Sequence, residues 1–393
     1  MLIQMKKSRE FLFLATMFLA HTVIMGNYII SPTYNLLYET YLDKLGAVNF
    51  IVSGFYAFVV AASLLAGKLD NRVSRKKLMI FGAISAALGG IGTIYNQILT
   101  WMCIMRALYG IGYSFTQVCA LTLLNEIYTN DQRRGKVVGY FNAAMNAIGA
   151  ILGALAGKLA SISAVSAYKL NWLMAIYAVC LIIFVPNIKP TDKTESLQNG
   201  IAGEKESMGS KYFKKLAVFL INSLSFCILV FFVSTYVSEN TLGNETFAGL
   251  LNSAVTVGGF VFAMLYGKIN LKLGKNTLWI MYLLSAASLL MLKLMPAKPT
   301  ALVFYFVSGG AYVVTSVYMY SYYPTIMPFS KVGNAIAIHS ASTTFMTLIT
   351  SYVVTFGMKF TQSYTNFLII PLCFSAAAFV IDFMSERKQR REK

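Results

Sequence analysis

Charged residues are scarce in this chain. They make up 12% of its 393 residues, whereas a soluble domain carries about 25%. Acidic residues are fewer than basic ones, with 15 Asp and Glu against 33 Lys and Arg. At the same time, 57% of the residues are hydrophobic. This balance excludes an ordinary water-soluble domain and indicates a chain that lies largely in lipid.

The residue types that hold metals and form disulfides are also few. Five cysteines lie singly along the chain, and only two histidines occur. No cysteine pair has the spacing of a zinc site or of a disulfide framework. No G-x-x-x-x-G-K-[ST] loop is present to bind ATP, and the polar connections are too short for a catalytic domain. We therefore expect no metal, no cofactor and no enzymatic activity.

The hydrophobic residues come in blocks of about 20, the length of a helix that crosses roughly 30 Å of hydrocarbon. A helix satisfies its own backbone hydrogen bonds, which lipid cannot do. We predict twelve such spans, at 11–32, 47–66, 78–95, 98–123, 137–160, 166–187, 213–237, 247–267, 277–295, 300–323, 334–357 and 364–384. The pattern predicts an all-α membrane protein with twelve transmembrane helices.

Lysine and arginine are unevenly distributed over the connections between the spans. If the N-terminus is cytoplasmic, most of the 33 basic residues fall on the cytoplasmic side. The positive-inside rule then predicts that both termini are cytoplasmic and that the protein lies in the cytoplasmic membrane. The net charge of +18 is thus a topology signal rather than a sign of nucleic acid binding. Membrane lipids are the expected anionic neighbours.

One short basic connection occurs twice, 200 positions apart. Residues 67–80 read GKLDNRVSRKKLMI, and residues 267–280 read GKINLKLGKNTLWI. Gly110 and Gly310 repeat at the same offset. Paired halves of this kind are typical of membrane transporters. The only long polar interruption divides the chain into equal sets of six spans. It predicts two pseudo-symmetric six-helix bundles, at 1–187 and 213–393, joined by a cytoplasmic linker at 188–212.

The first copy of this connection resembles the loop between helices two and three of the major facilitator superfamily, written G-x-L-x-D-R-x-G-R-K/R. Six residues carry the resemblance, give or take one position: Gly67, Leu69, Asp70, Arg72, Arg75 and Lys76. Ser74 stands in place of the usual second glycine. The stretch from Pro32 to Gly46 and the fourth span look most like the drug–proton antiporter branch, although the fifth span lacks that branch's proline.

The resemblance implies a cytoplasmic gate. In the family, the loop acid meets the cytoplasmic start of helix eleven, whose N-terminus carries partial positive charge. The acid here is Asp70, and it is expected to dock near Gly333 and Asn334. Gly67 belongs to the same loop, and Arg72 and Arg75 are expected to form ion pairs across the halves or with lipid. The alternative is that these are solvated charges that only set topology.

Arg106 is a charged residue that lies within a predicted span. It lies in the sequence CIMRALYGIGYSF, which resembles the family's fourth-helix pattern of arginine followed by glycines. A charge inside a span usually faces protein or water. Helical spacing places Tyr109, Tyr113 and Gln117 on the same face. We interpret Arg106 as a substrate-binding or proton-coupling residue; the alternative is an arginine that extends to the interface.

Other polar residues within the spans are further candidates for substrate binding or coupling. Both histidines lie in spans, and histidine can change its charge near physiological pH. Neutral histidines bonded between helices are the alternative. The full set of additional candidates is His21, Asn27, Asn142, Asn146, Tyr312 and His339.

No carboxylate lies at the middle of any span, whereas many exporters of cationic drugs use one. A site with Arg106 and no acid should prefer anionic, amphipathic or neutral molecules. The leading interpretation is a monomeric secondary transporter that exports a small organic molecule in exchange for protons by alternating access. Uptake or exchange of an organic anion through Arg106 is a second possibility. A non-transporting or lipid-flipping relative is a third.

Overall fold

Long apolar segments separated by short polar turns favour helices throughout, and helices are what the chain forms. A computed structural model describes residues 7–70, 72–187, 209–243, 245–361 and 363–391. Within these ranges there are helices and turns and no β-strand. Twelve long helices account for most of the described residues. This result confirms the predicted all-α class.

The twelve long helices are numbered in chain order. They are α1 (Lys7–Ile24), α2 (Tyr56–Leu69), α3 (Arg75–Tyr95), α4 (Leu99–Ile127), α5 (Asp131–Ala160), α6 (Trp172–Phe184), α7 (Ser210–Phe231), α8 (Glu245–Leu273), α9 (Thr277–Leu294), α10 (Lys298–Ile326), α11 (Phe329–Thr361) and α12 (Ile369–Arg391). Short helical turns flank several of them, among them Asn27–Ile30 after α1 and Leu45–Asn49 before α2.

Length and apolar composition identify nine segments of the described chain that could cross a membrane, or ten with one bent pair of helices. The bent pair contains α1. One of the nine, Phe247–Leu294, contains both α8 and α9, joined by the turn Gly274–Asn276. The remaining helix, α11, has 33 residues and is long enough to span. The helices therefore match the twelve predicted spans.

The described chain forms two compact units. The first comprises residues 1–129, 148–207 and 327–344, and the second comprises residues 130–147, 208–326 and 345–393. The predicted linker, 188–212, lies outside the described residues except for 209–212. The division into two six-helix bundles at 1–187 and 213–393 stays a prediction.

In the first unit, glycines bring helices into close contact. α3 packs along α4, and a Cβ added at Gly89 would lie 2.6 Å from the backbone of Met105 and Tyr109. Small residues allow this approach, as is usual between membrane helices. The same tight packing fixes the position of the middle of α4, which carries Arg106.

In the second unit, α8 and α10 cross through a pair of glycines. A Cβ at Gly258 would collide with the carbonyl of Phe306, and one at Gly309 would collide with the carbonyl of Val255. α9 and α7 also pack against α12, and α9 packs against α10. These contacts hold α7, α10 and α12 together within the second unit.

Candidate functional site

Arg106 is buried in the first unit, with 4% of its surface exposed. Its Nε donates a hydrogen bond to the carbonyl oxygen of Ile51 at 2.9 Å. Its Nη2 donates to Oδ1 of Asn27 at 2.5 Å. The same amide oxygen accepts a bond from the hydroxyl of Tyr34 at 2.8 Å. The structure therefore brings together two predicted site residues, Arg106 and Asn27.

Two aromatic rings cover the guanidinium of Arg106. Its central carbon lies 3.9 Å from the ring centroid of Phe55 and 5.0 Å from that of Tyr109. Cation–π contacts of this kind stabilise a desolvated arginine. The hydroxyl of Tyr109 donates to the carbonyl of Val23 at 2.8 Å, which ties α4 to α1. The guanidinium of Arg106 is therefore enclosed by protein and not exposed at the surface of the molecule.

Both polar partners of Arg106 lie where a helix is interrupted. α1 ends at Ile24, and the following helix is bent by 44° from it, with Asn27 as its first residue. Ile51 lies in a π-helical segment, Phe50–Gly54, just before α2. Interrupted helices and π-helical turns are frequent at binding sites, because they leave polar backbone groups exposed inside the protein.

The sequence prediction missed both interruptions, since it placed continuous spans at 11–32 and 47–66. The break in α1 does have a local signal, because Gly26 and Asn27 form a turn-favouring dipeptide. A Cβ at Gly26 would meet the side chains of Met174 and Tyr109, so the position also requires a small residue. The π-helical segment has no comparable signal in the sequence FIVSG.

A small cavity adjoins the guanidinium on the side of α3. Its volume of about 10 Å³ suits one water molecule. Its wall combines glycines with polar side chains: Gly26, Ile30, Gly89, Gly90, Thr93, Arg106, Tyr109, Tyr168 and Asn171. This cavity therefore has room for one water molecule beside Arg106 and for nothing larger.

The predicted polar face of α4 continues beyond Arg106. The ring of Tyr113 lies 6.5 Å from that of Tyr109, and Tyr113 and Gln117 are hydrogen-bonded to each other. Oε1 of Gln117 accepts a bond from Ser340 of α11 at 3.0 Å. The two predicted histidines are fully enclosed in this unit, His21 in α1 and His339 in α11.

Three predicted candidates lie in the second unit. Asn142 and Asn146 of α5 donate to backbone carbonyls one turn earlier in their own helix, at 2.9 and 3.0 Å. Tyr312 of α10 stacks on Phe226 with ring centroids 3.9 Å apart and planes within 7° of parallel. Its hydroxyl lies 3.3 Å from that of Ser223. Tyr312 thus lies in an aromatic and hydroxyl environment, whereas the two asparagine amides are bonded within their own helix.

The predicted gate residues form a buried ion cluster. Arg75 binds both carboxylate oxygens of Asp70, Nε to Oδ1 at 2.5 Å and Nη2 to Oδ2 at 2.7 Å. Its Nη1 also bonds Glu126 at the end of α4. We call Asp70, Arg75 and Glu126 the Arg75 cluster. Arg75 thus pairs with the loop acid and with the end of α4, and Arg72 is exposed; the expected ion pairs across the halves or with lipid stay predictions.

The end of α2 meets the start of α11 at two glycines. A Cβ at Gly333 would collide with the carboxylate of Asp70. A Cβ at Gly67 would collide with Ala337, and it would lie 3.0 Å from Oδ1 of Asn334. The structure therefore places Asp70 directly against α11, and small residues at 67 and 333 permit the contact.

We expect Gly333→Ala to lower stability by about 1–3 kcal/mol, because the new methyl group overlaps the Asp70 carboxylate. Thermal unfolding of the purified protein in detergent would measure the change. The matched control is Gly249→Ala in α8, where an added Cβ has no neighbour within 4 Å. Alanine there should be neutral or stabilising by up to about 1 kcal/mol. Equal effects at the two positions would contradict the contact between Asp70 and Gly333.

Comparison with known proteins gives one family. The profile of the Major Facilitator Superfamily matches residues 16–351. YwoD of Bacillus subtilis, an uncharacterised MFS-type transporter, is 25% identical over 198 residues, which are 50% of this chain and 42% of that protein. Multidrug resistance protein 3 of Bacillus subtilis is 30% identical over 113 residues, 28% of this chain and 21% of that protein. The chain thus aligns with less than half the length of each relative.

A solved structure extends the likeness to the whole fold. The proton:xylose symporter XylE superimposes with a TM-score of 0.73 over 96% of this chain and 95% of its own. The two sequences are 16% identical, so the likeness concerns the fold and not the substrate.

Proposed function

Because the chain belongs to the Major Facilitator Superfamily, a family of membrane transporters of small molecules, we propose that it is a proton-coupled exporter of a small organic molecule that bears an anionic group. It would work in the cytoplasmic membrane by alternating access. Arg106 would bind the anionic group, and the Arg75 cluster would close the cytoplasmic side.

The enclosed charge of Arg106 carries this proposal. Among the side chains that the structure describes, no acidic one pairs with it, and its partners are an amide oxygen and a backbone carbonyl. Neutral acceptors compensate a buried positive charge less well than a carboxylate does. A ligand carboxylate or phosphate could therefore replace Asn27 or Ile51 with a gain in electrostatic energy.

The two helix interruptions support a site that opens. Access to Arg106 requires a movement of the segment that begins at Asn27 or of the π-helical segment at Ile51. Both segments have fewer regular helical bonds to lose than a continuous helix has. Small-molecule sites in transporters commonly form where helices are discontinuous.

Export is supported by the name of one relative, multidrug resistance protein 3, and by the sequence resemblance to the drug–proton antiporters. Energy from a proton gradient fits a chain without an ATP-binding loop. Uptake or exchange of the same anion would use the same Arg106 site. The direction and the coupling ion therefore need a transport measurement.

We expect the purified protein to be stabilised by organic anions and not by cations of equal size and hydrophobicity. A thermal-shift screen with matched pairs, such as an aryl carboxylate and an aryl quaternary ammonium, would test this. Uptake of the best ligand into proteoliposomes should then follow an imposed pH gradient. Preference for the cation would contradict the role of Arg106. A rate of counterflow that does not depend on the pH gradient would favour exchange over proton coupling.

A further inference from the structure

The second unit contains a buried cluster of three charged side chains that the proposed function does not use. Lys215 of α7 donates to Oδ1 of Asp382 and to Oε1 of Glu386, each at 2.9 Å. Both acids lie on α12, four residues apart and so on one face of the helix. The side chains are 10%, 3% and 7% exposed, in that order. We call these residues the Lys215 cluster.

The charges of the Lys215 cluster do not balance when both acids are ionised. One ammonium then faces two carboxylates, and an uncompensated buried charge is costly. Among the described residues, the second oxygen of each acid, Oδ2 of Asp382 and Oε2 of Glu386, is buried and has no hydrogen-bond partner. In the Arg75 cluster, by contrast, both oxygens of Asp70 are bonded. The Lys215 cluster, as described, therefore leaves two buried acceptor oxygens for another donor.

No other described side chain supplies the missing positive charge. Lys215 lies 5.8 Å above the ring of Tyr322, and the guanidinium of Arg387 lies 4.4 Å above the ring of Phe383. The other groups near the acids are tyrosines that interact with them electrostatically, Tyr282 of α9 and Tyr318 and Tyr322 of α10. The other lysines described on α7, α9 and α10 do not serve the cluster: Lys211, Lys214 and Lys298 are exposed, and the ammonium of Lys293 lies 3.4 Å from the carbonyl oxygen of Thr365.

We propose that the Lys215 cluster is a proton-binding site, in which Asp382 and Glu386 together hold one proton. A proton taken from water makes one carboxylate into a carboxyl group, which supplies a hydrogen-bond donor and brings the net charge of the cluster to zero. Both carboxylates are bonded to the same ammonium, each at 2.9 Å, so the proton is assigned to the pair and not to one acid. Binding of the proton follows from the geometry alone, whereas its use in transport rests on the proposed function.

Stability should depend on pH in a defined direction. The proposed proton is bound in the native state, whereas the carboxyl groups of the unfolded chain have lost theirs above about pH 6. The native state then binds more protons than the unfolded state, so stability falls as pH rises. Glu386→Gln leaves one ammonium and one carboxylate, which need no proton.

The experiment compares thermal unfolding of the wild-type protein and of E386Q between about pH 6 and about pH 8, a range above the carboxyl titration of the unfolded chain. We expect E386Q to lose the part of the pH dependence that corresponds to about one bound proton. It should be at least as stable as the wild type at the alkaline end. Parallel curves with E386Q less stable at every pH would overturn the proposal.

A control variant tests whether the change in slope is specific to the cluster, and a change of salt tests whether the cluster binds sodium instead of a proton. Asp131→Asn removes an acid that is 76% exposed and paired with Arg134, and it should shift the curve without changing its slope. The wild-type curve should also be the same in sodium chloride and in choline chloride. A sodium-dependent gain in stability at high pH would assign the cluster to a metal cation and overturn the proton site.

A direct measurement keeps the inference testable if E386Q does not fold. Infrared spectra of the wild type should contain the C=O stretching band of a buried protonated carboxyl group, and this band should fade as pH rises. Asp382→Asn should remove it. Absence of a band that is sensitive to this substitution at any pH in the range would overturn the proposal. None of these measurements needs a substrate, so a negative result would leave the proposed transport function unaffected.

Discussion

Arg75→Met should destabilise the protein by about 3–5 kcal/mol, which is the usual effect of removing one partner from a buried ion pair. The substitution leaves the carboxylates of Asp70 and Glu126 together without their shared cation. Asp70 is 1% exposed, so water cannot replace the guanidinium. Unfolding of the purified variant by heat or denaturant, compared with the wild type, would measure the loss.

The loss in Arg75→Met should come from the repulsion between the two carboxylates that remain close together. Adding Asp70→Asn to the variant should therefore recover part of the stability. Arg72→Met is the matched control, because Arg72 lies in the same loop and is exposed. An equal loss in the two single variants, or no recovery with Asp70→Asn, would contradict the role of the cluster.

The two copies of the repeated loop are held in different ways. In the first copy, Asp70 and Arg75 form a two-bond ion pair beside α11. In the second copy, Oδ1 of Asn270 accepts a hydrogen bond from the hydroxyl of Thr277 at 3.3 Å. The difference follows from the sequence, in which the aspartate of the first copy is replaced by asparagine in the second. A neutral bond is weaker than an ion pair of good geometry, so the first loop is the better candidate for a gate.

Hydropathy predicted most of the fold, because lipid leaves the backbone almost no alternative to a helix. The repeat also has a structural counterpart. A Cβ at Gly110 would lie 3.0 Å from the carbonyl of Phe55 beside α2, and one at Gly310 would collide with the ring of Phe262 in α8. The equal offset of the two glycines therefore corresponds to an equivalent close contact in each unit.

Contacts between distant parts of the chain were harder to predict. Helical spacing placed Tyr109 beside Arg106, but the two polar partners lie 79 and 55 residues away, at helix interruptions that span prediction does not detect. The Lys215 cluster was missed for a related reason. The spacing of Asp382 and Glu386 is visible in the sequence, whereas Lys215 is 167 residues from Asp382 and counts only as a loop charge in a topology argument. The contact of Asp70 with α11 was expected only through the family resemblance.

Arg106→Met should weaken binding of the anionic ligand by about 30-fold or more. Truncation of one partner in a buried, hydrogen-bonded charge pair costs about 2–5 kcal/mol, and each 1.4 kcal/mol is about tenfold in affinity. Arg106→Lys keeps the charge but cannot donate to Asn27 and Ile51 in the same forked geometry. It should therefore bind the anion better than the methionine variant does, yet less well than the wild type.

Binding and stability must be measured together, since Arg106 also joins the interrupted ends of the first two spans. Arg9→Met is the matched control, because Arg9 is an exposed arginine at the start of α1; it should change neither property. If Arg106 only clamps the two helices, a methionine variant that remains folded will bind the ligand with unchanged affinity and only unfold at a lower temperature. If Arg106 binds the anionic group, the folded fraction of the methionine variant will have a lower affinity for the ligand. A neutral analogue of the ligand will lose less affinity than the anion does. The difference between these two analogues isolates the charge on Arg106 from its structural bonds.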